Sequence, residues 1–158
     1  MIDSALLAYL MSAAAALSGY PPLPPESLPP IEMMSMERMR SEVCGREQRN
    51  CANMAAVFDT DGYRILLRDD LDLEKPADNS FLVHELVHVL QHHQRGDRIF
   101  AGCHQTLNTE REAYLVQNRY LKREGQFLRF GAGLAFMRCA DVQPASWSGD
   151  VSLDVVGH

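Results

Sequence analysis

No apolar run in this chain is long enough to span a bilayer. The longest, Ala5 to Leu17, covers 13 residues, where a spanning helix needs about 20. Only Asp3, and no Lys or Arg, stands before it, so it lacks the basic start of a secretory signal and is expected to form an N-terminal helix over residues 1–19. A cytoplasmic location goes with that expectation; a periplasmic or secreted one would follow if residues 1–18 acted as a signal sequence. Basic charge is short as well. Fifteen Lys and Arg face 21 Asp and Glu, for a net charge of −6, which leaves no dominating basic surface and excludes nucleic acid as the main partner. Arg111, Arg119, Lys122, Arg123 and Arg129 gather late in the chain and read as a solvated helix face. Cys44, Cys51, Cys103 and Cys139 lack the close paired spacings of a structural zinc site. Three disulfide connectivities, or none, are open to them, and an oxidising compartment would permit Cys44 with Cys51 and Cys103 with Cys139. The acidic run Arg68 to Glu74 lacks EF-hand spacing and reads as a solvated loop. No internal repeat is present, and 158 residues leave room for one core and one domain.

What is present is a strong local motif. Phe81 to Gln91 carries His84-Glu85-Leu86-Val87-His88, an HExxH pattern within an apolar helical run. Imidazoles four residues apart stand one above the other on a helix face and can share one metal ion, with Glu85 placed to act as general base on a water at that metal. Asp78, Asn79 and Ser80 are the expected N-caps and Gly96 the expected stop. Phe81, Leu82, Val83, Leu86, Val87, Val89 and Leu90 make the helix apolar nearly all round, so it should be buried. Histidines and a glutamate in that setting are costly unless bonded or bound to metal.

A catalytic zinc takes a third protein ligand. His92 continues the series, but it lies about 12 Å along the helix from His84, so one ion cannot take all three histidines. His92 and His93 read instead as helix-end residues favoured by the helix dipole. The better donor lies in a second amphipathic segment, opened by Asn108 or Thr109. There Glu110 shares a face with Ala113, Tyr114, Gln117 and Leu121, whereas Glu112 falls with Arg119 and Arg123 on the wet side. Glu110 is the expected third ligand and Glu112 the alternative.

Glu110-Arg111-Glu112-Ala113-Tyr114, separated from His88 by 21 residues, resembles the second-helix motif of the gluzincins, zinc peptidases whose third ligand is a glutamate. The short spacing is similar to that of compact members such as the ImmA/IrrE-like peptidases. His-Glu-Leu-Val-His-Val-Leu-Gln with Glu-x-x-Ala-Tyr-x-x-Gln also resembles a group of small bacterial HExxH domains. The resemblance is sharp over residues 60–121. It implies zinc on His84, His88 and Glu110, with Glu85 as catalytic base in hydrolysis of a peptide or protein substrate. Tyr114 stands where the pattern has an Asp that orients a zinc histidine. That leaves the orienting group unnamed, and makes Tyr114 and His104 candidates for assisting an oxyanion. The resemblance further implies that the strand before the active-site helix, here Tyr63 to Leu67, offers its edge to extended substrate.

The remaining chain completes the expected fold. Ala55 to Leu67 reads as two strands about the Asp61-Gly62 turn. Residues 20–30 are a Pro-rich connector, Ile31 to Val43 resumes a helical pattern whose methionines pack, and Phe127 to Ala140 reads as a last helix interrupted by Gly131 and Gly133. Residues 141–158 read as a loosely held tail. The sum is an α+β, minimal zincin-like domain with a metallopeptidase core over residues 31–140, its active-site helix packed on a small sheet or hairpin with further helices around it. Two rival expectations are a catalytically inactive zincin-fold binding or regulatory domain, and a zinc hydrolase of a non-peptide amide.

Overall fold

The computed structural model describes residues 1–44 and 54–139. Among them are four α-helices, α1 (Ser4–Ser18), α2 (Met36–Val43), α3 (Pro76–Arg95) and α4 (Cys103–Arg123), and three strands, β1 (Ile31–Met34), β2 (Ala56–Asp59) and β3 (Arg64–Arg68). The fold is α+β. The sheet order is β1-β3-β2, with β1 parallel and β2 antiparallel to β3.

α3 begins earlier than its polar residues suggested. Pro76, with φ pre-set and no N–H to lose, occupies the first turn behind Lys75. Asp78 and Asn79 serve the helix start from inside it: the Asp78 carboxylate accepts the Asp72 N–H at 2.8 Å, and the Asn79 amide donates to the Leu73 carbonyl at 3.1 Å. Residues 82–91 are all buried, because α1, α4, β2 and the 3-10 turn at Gly96–Phe100 pack around them. Leu10, Met11 and Ala13 to Ala15 of α1 join Leu82, Val83, Leu86, Val87, Leu90, Val116 and Tyr120 in one core. Alternation along the sheet divides its faces. Phe58 and Ile65 point to that core, while Leu66 packs with Met34 and Met39 on the other side.

Three local readings change. Ile31 to Met34 is a strand, drawn out of the expected helix by parallel pairing with Ile65 to Arg68. α4 opens at Cys103 behind Gly102, at φ 87°, not at Asn108 or Thr109; the Thr109 hydroxyl is instead buried and donates to the Ile99 carbonyl at 2.7 Å. The expected last helix is only a 3-10 turn, Ala132–Phe136. Its segment is held by Asn118, whose side chain exchanges two hydrogen bonds with the Phe130 backbone at 2.8 and 2.9 Å, and by a Cys103–Cys139 disulfide with Cα atoms 5.5 Å apart. The described residues hold no free cysteine; the other expected pair involves Cys51, which lies outside them, as does the segment 141–158. No described helix is long and apolar enough to cross a membrane.

Candidate metal centre

α3 and α4 pack side by side, and the facing stripes of the two helices carry polar groups into the core. His84 and His88, one turn apart on α3, meet Glu110 of α4, and all three are buried. The His84 and His88 Nε2 atoms are 3.0 Å apart. One Glu110 oxygen lies 3.1 Å from His84 Nε2 and the other 3.1 Å from His88 Nε2. Donor atoms bound tetrahedrally at about 2.0 Å would be about 3.3 Å apart, so the cluster is already close to a coordination set.

The hydrogen bonds behind the histidines show which ring nitrogens face inward. Gln117 Oε1 lies 3.0 Å from His84 Nδ1, and its Nε2 donates to Ser80 Oγ at 3.1 Å. Ser80 spends its own proton on the Ala77 carbonyl at 2.7 Å, so it can only accept from Gln117, and the Gln117 carbonyl must be what faces His84. Gln91 repeats the logic. Its Nε2 donates to the Thr109 carbonyl at 3.1 Å and to Glu112 Oε2 at 2.7 Å, which leaves Oε1 facing His88 Nδ1 at 2.7 Å. Both imidazoles therefore carry Nδ1–H and present bare Nε2 atoms to each other and to a carboxylate. Such a concentration of lone pairs calls for a cation, and the donor set fits a metal ion.

Without a metal, a proton does this work. Burial disfavours the charged His88 ring, but the Glu110 carboxylate beside it outweighs burial and pushes the imidazole up to about 9. Burial likewise acts against an ionised Glu110, yet the two histidines hold it well below the usual carboxylate range. A metal taking His88 Nε2 must displace the proton. Its affinity is expected to rise about tenfold per pH unit between about pH 6 and pH 8, and to level off above about 9. Chelator-competition titrations at several pH values check this; a flat profile would remove His88 as a ligand.

Glu85, between the two histidines in sequence, is buried and drawn toward β2, where its Oε2 accepts the Phe58 N–H at 2.8 Å. Burial raises its pKa, partly countered by the histidines. The Tyr114 ring stands edge-on to His84, centroids 4.3 Å apart. Burial, with Glu110 and Glu85 nearby, pushes its phenol strongly upward, so it stays protonated. Gly131 closes over that ring at φ 83°: a Cβ there would fall 2.4 Å from Tyr114 Cγ, so any side chain would force the tyrosine to move. Phe100 covers His88 from another side at 5.2 Å.

The other expected site residues fall elsewhere. His104 is exposed on the first turn of α4 and is not part of the cluster. Glu112 is half-buried rather than fully on a wet face. It accepts from Tyr20, Gln91 and Arg95, because Tyr20, 92 positions earlier, covers that side of α4. His92 bonds Asp97 at 2.9 Å at the end of α3. β3 has no free edge. Its Ile65 N–H donates to Pro30 on one side, and Leu66 and Arg64 pair with β2 on the other. The residues missed were Gln91 and Gln117. Both lay at helical spacing, three after His88 and seven after Glu110, and Gln117 orients the His84 ring.

Fold and site together define a small α+β protein with a buried two-histidine, one-carboxylate cluster that can hold a metal ion. The chain belongs to the DUF6647 family, a domain of unknown function, which it matches over residues 5–132 and so over the whole cluster. No curated protein and no solved structure matches it.

Proposed function

We propose that this protein is a zinc-dependent metallopeptidase of the gluzincin type, hydrolysing a peptide bond in a peptide or protein substrate. The observation that carries the reading is Glu85: pure metal binding does not require a further buried carboxylate on α3, next to His84 in sequence and beside the His84, His88 and Glu110 cluster. Two imidazoles and a carboxylate are a donor set of catalytic zinc, held here by His84, His88 and Glu110. Bound zinc would supply Lewis acidity, polarising a carbonyl and acidifying a coordinated water.

The chain's own residues do the rest. The Phe58 N–H occupies Glu85 Oε2 and fixes the carboxylate, leaving the other oxygen to take a proton from the attacking water and return it to the departing amine. The raised pKa of Glu85 brings it nearer neutrality, where a general base is most effective. Since the ionised form is the base, turnover falls on the acid side of that pKa. The protonated Tyr114 phenol is a donor for charge developing on the carbonyl oxygen. Extended substrate is received at β2 rather than β3: Phe58 directs its N–H away from β3 and toward Glu85, so a peptide lying along that edge passes the base.

The test is a library of quenched fluorescent peptides with the zinc-loaded protein. Cleavage that a chelator abolishes and added zinc restores is the expected result. Full zinc occupancy with no cleavage of any library member would sink the peptidase reading and leave a non-proteolytic metal protein.

A further inference from the structure

The two histidines are backed differently. Behind His84 the chain of hydrogen bonds is neutral throughout, from Gln117 to Ser80 to the Ala77 carbonyl. Behind His88 it ends on a carboxylate: Gln91 Nε2 donates to Glu112 Oε2 at 2.7 Å while Gln91 Oε1 faces His88 Nδ1 at 2.7 Å. Glu112 is itself fixed from two other parts of the fold. The Tyr20 hydroxyl lies 2.9 and 3.0 Å from its two oxygens, and Arg95, at the end of α3, donates to Oε2 at 2.9 Å. Arg95 also bonds the Tyr20 hydroxyl at 3.0 Å and stands 6.0 Å from its ring centre.

We infer that Glu112 is a positioning residue of the metal centre, acting on His88 through Gln91, and that Tyr20 and Arg95 hold it in place. A lone glutamine can present either end to an imidazole, and the wrong end would force the wrong tautomer. Glu112, together with the Thr109 carbonyl, removes that freedom because only the amide nitrogen can face these acceptors. Hydrogen bonding to the anion also polarises the amide, so Oε1 accepts more strongly from Nδ1–H and Nε2 becomes a better donor to a metal. Tyr20 lies in the connector that follows α1, so the N-terminal part of the chain takes part in holding one metal ligand.

The inference rests on the metal reading, and the experiment separates the two. Zinc affinity by chelator competition, the visible spectrum of the cobalt(II) form and the thermal melt are compared for the full chain and its variants. Glu112→Ala is expected to lower zinc affinity about tenfold and to shift the cobalt bands. Glu112→Gln, whose amide oxygen can still accept from Gln91 but carries no charge, is expected to give a smaller loss in the same direction. Tyr20→Phe gives a smaller loss in the same direction, and it decides the matter if Glu112→Ala does not fold. A merely structural Glu112 would lower the melting temperature and leave the cobalt bands alone. Folded variants with wild-type affinity and spectrum overturn the inference. A wild-type chain that takes up neither zinc nor cobalt overturns the metal reading instead.

Discussion

Glu85→Gln should keep zinc at the wild-type stoichiometry and lower peptide hydrolysis by about 10²- to 10⁴-fold. The substitution is nearly isosteric, and the amide oxygen can still accept the Phe58 N–H, so the contact between α3 and β2 survives. The zinc ligands are untouched. With the histidines and Glu110 taken up by the metal and Tyr114 held protonated by burial, what is lost is the group placed to take up and release a proton. Elemental analysis together with turnover on a cleaved library peptide makes the measurement. Unchanged turnover would remove Glu85 from the mechanism, and loss of zinc along with turnover would make it a structural residue.

Glu110→Ala should take the zinc content from one per chain to none under conditions that saturate the wild type, whereas Glu112→Ala should still fill when zinc is in excess. Only Glu110 places an oxygen 3.1 Å from each Nε2. Its loss has a second, metal-independent effect. In the metal-free protein Glu110 balances a protonated His88, and breaking a buried pair of this kind costs about 3–5 kcal/mol. The sign of the pH dependence follows from the raised His88 pKa: this stabilisation is complete below 6.5 and lost as pH rises through about 9. Melting temperatures of metal-free wild type and Glu110→Ala should therefore differ most at mildly acid to neutral pH and converge above about 9. Equal zinc content in Glu110→Ala and wild type would exclude the proposed ligand set.

The candidate metal cluster was readable in the sequence because helical spacing alone sets it: a step of four from His84 to His88, and a buried stripe on α4 that carries Glu110 rather than Glu112. The α+β class followed from the same periodicities. What escaped depends on contacts between distant segments. Ile31 to Met34 shows no alternation and includes two methionines, good helix formers; it is a strand because β3 supplies a parallel partner. For the same reason β3 reads as an edge but lies at the centre. Glu112 has the spacing of a solvated residue and is partly covered by Tyr20, which no local pattern connects to it. Gln91 and Gln117 stood in plain view at the right spacing, but a glutamine on a helix carries no signal of its own until the acceptors behind it are known.

The burial of α1 has a consequence for how the chain is made. Its apolar face, Leu10, Met11 and Ala13 to Ala15, rests on α3 and α4, which follow it on the ribosome. At about 5–20 residues per second, roughly 5–20 s separate the synthesis of α1 from the completion of α4. For the first part of that interval, until α3 follows, the nascent helix lacks both of the helices that cover it. A polypeptide stalled before α3 emerges would display, as an exposed greasy rod and a target for holding chaperones, one of the elements that the finished protein buries.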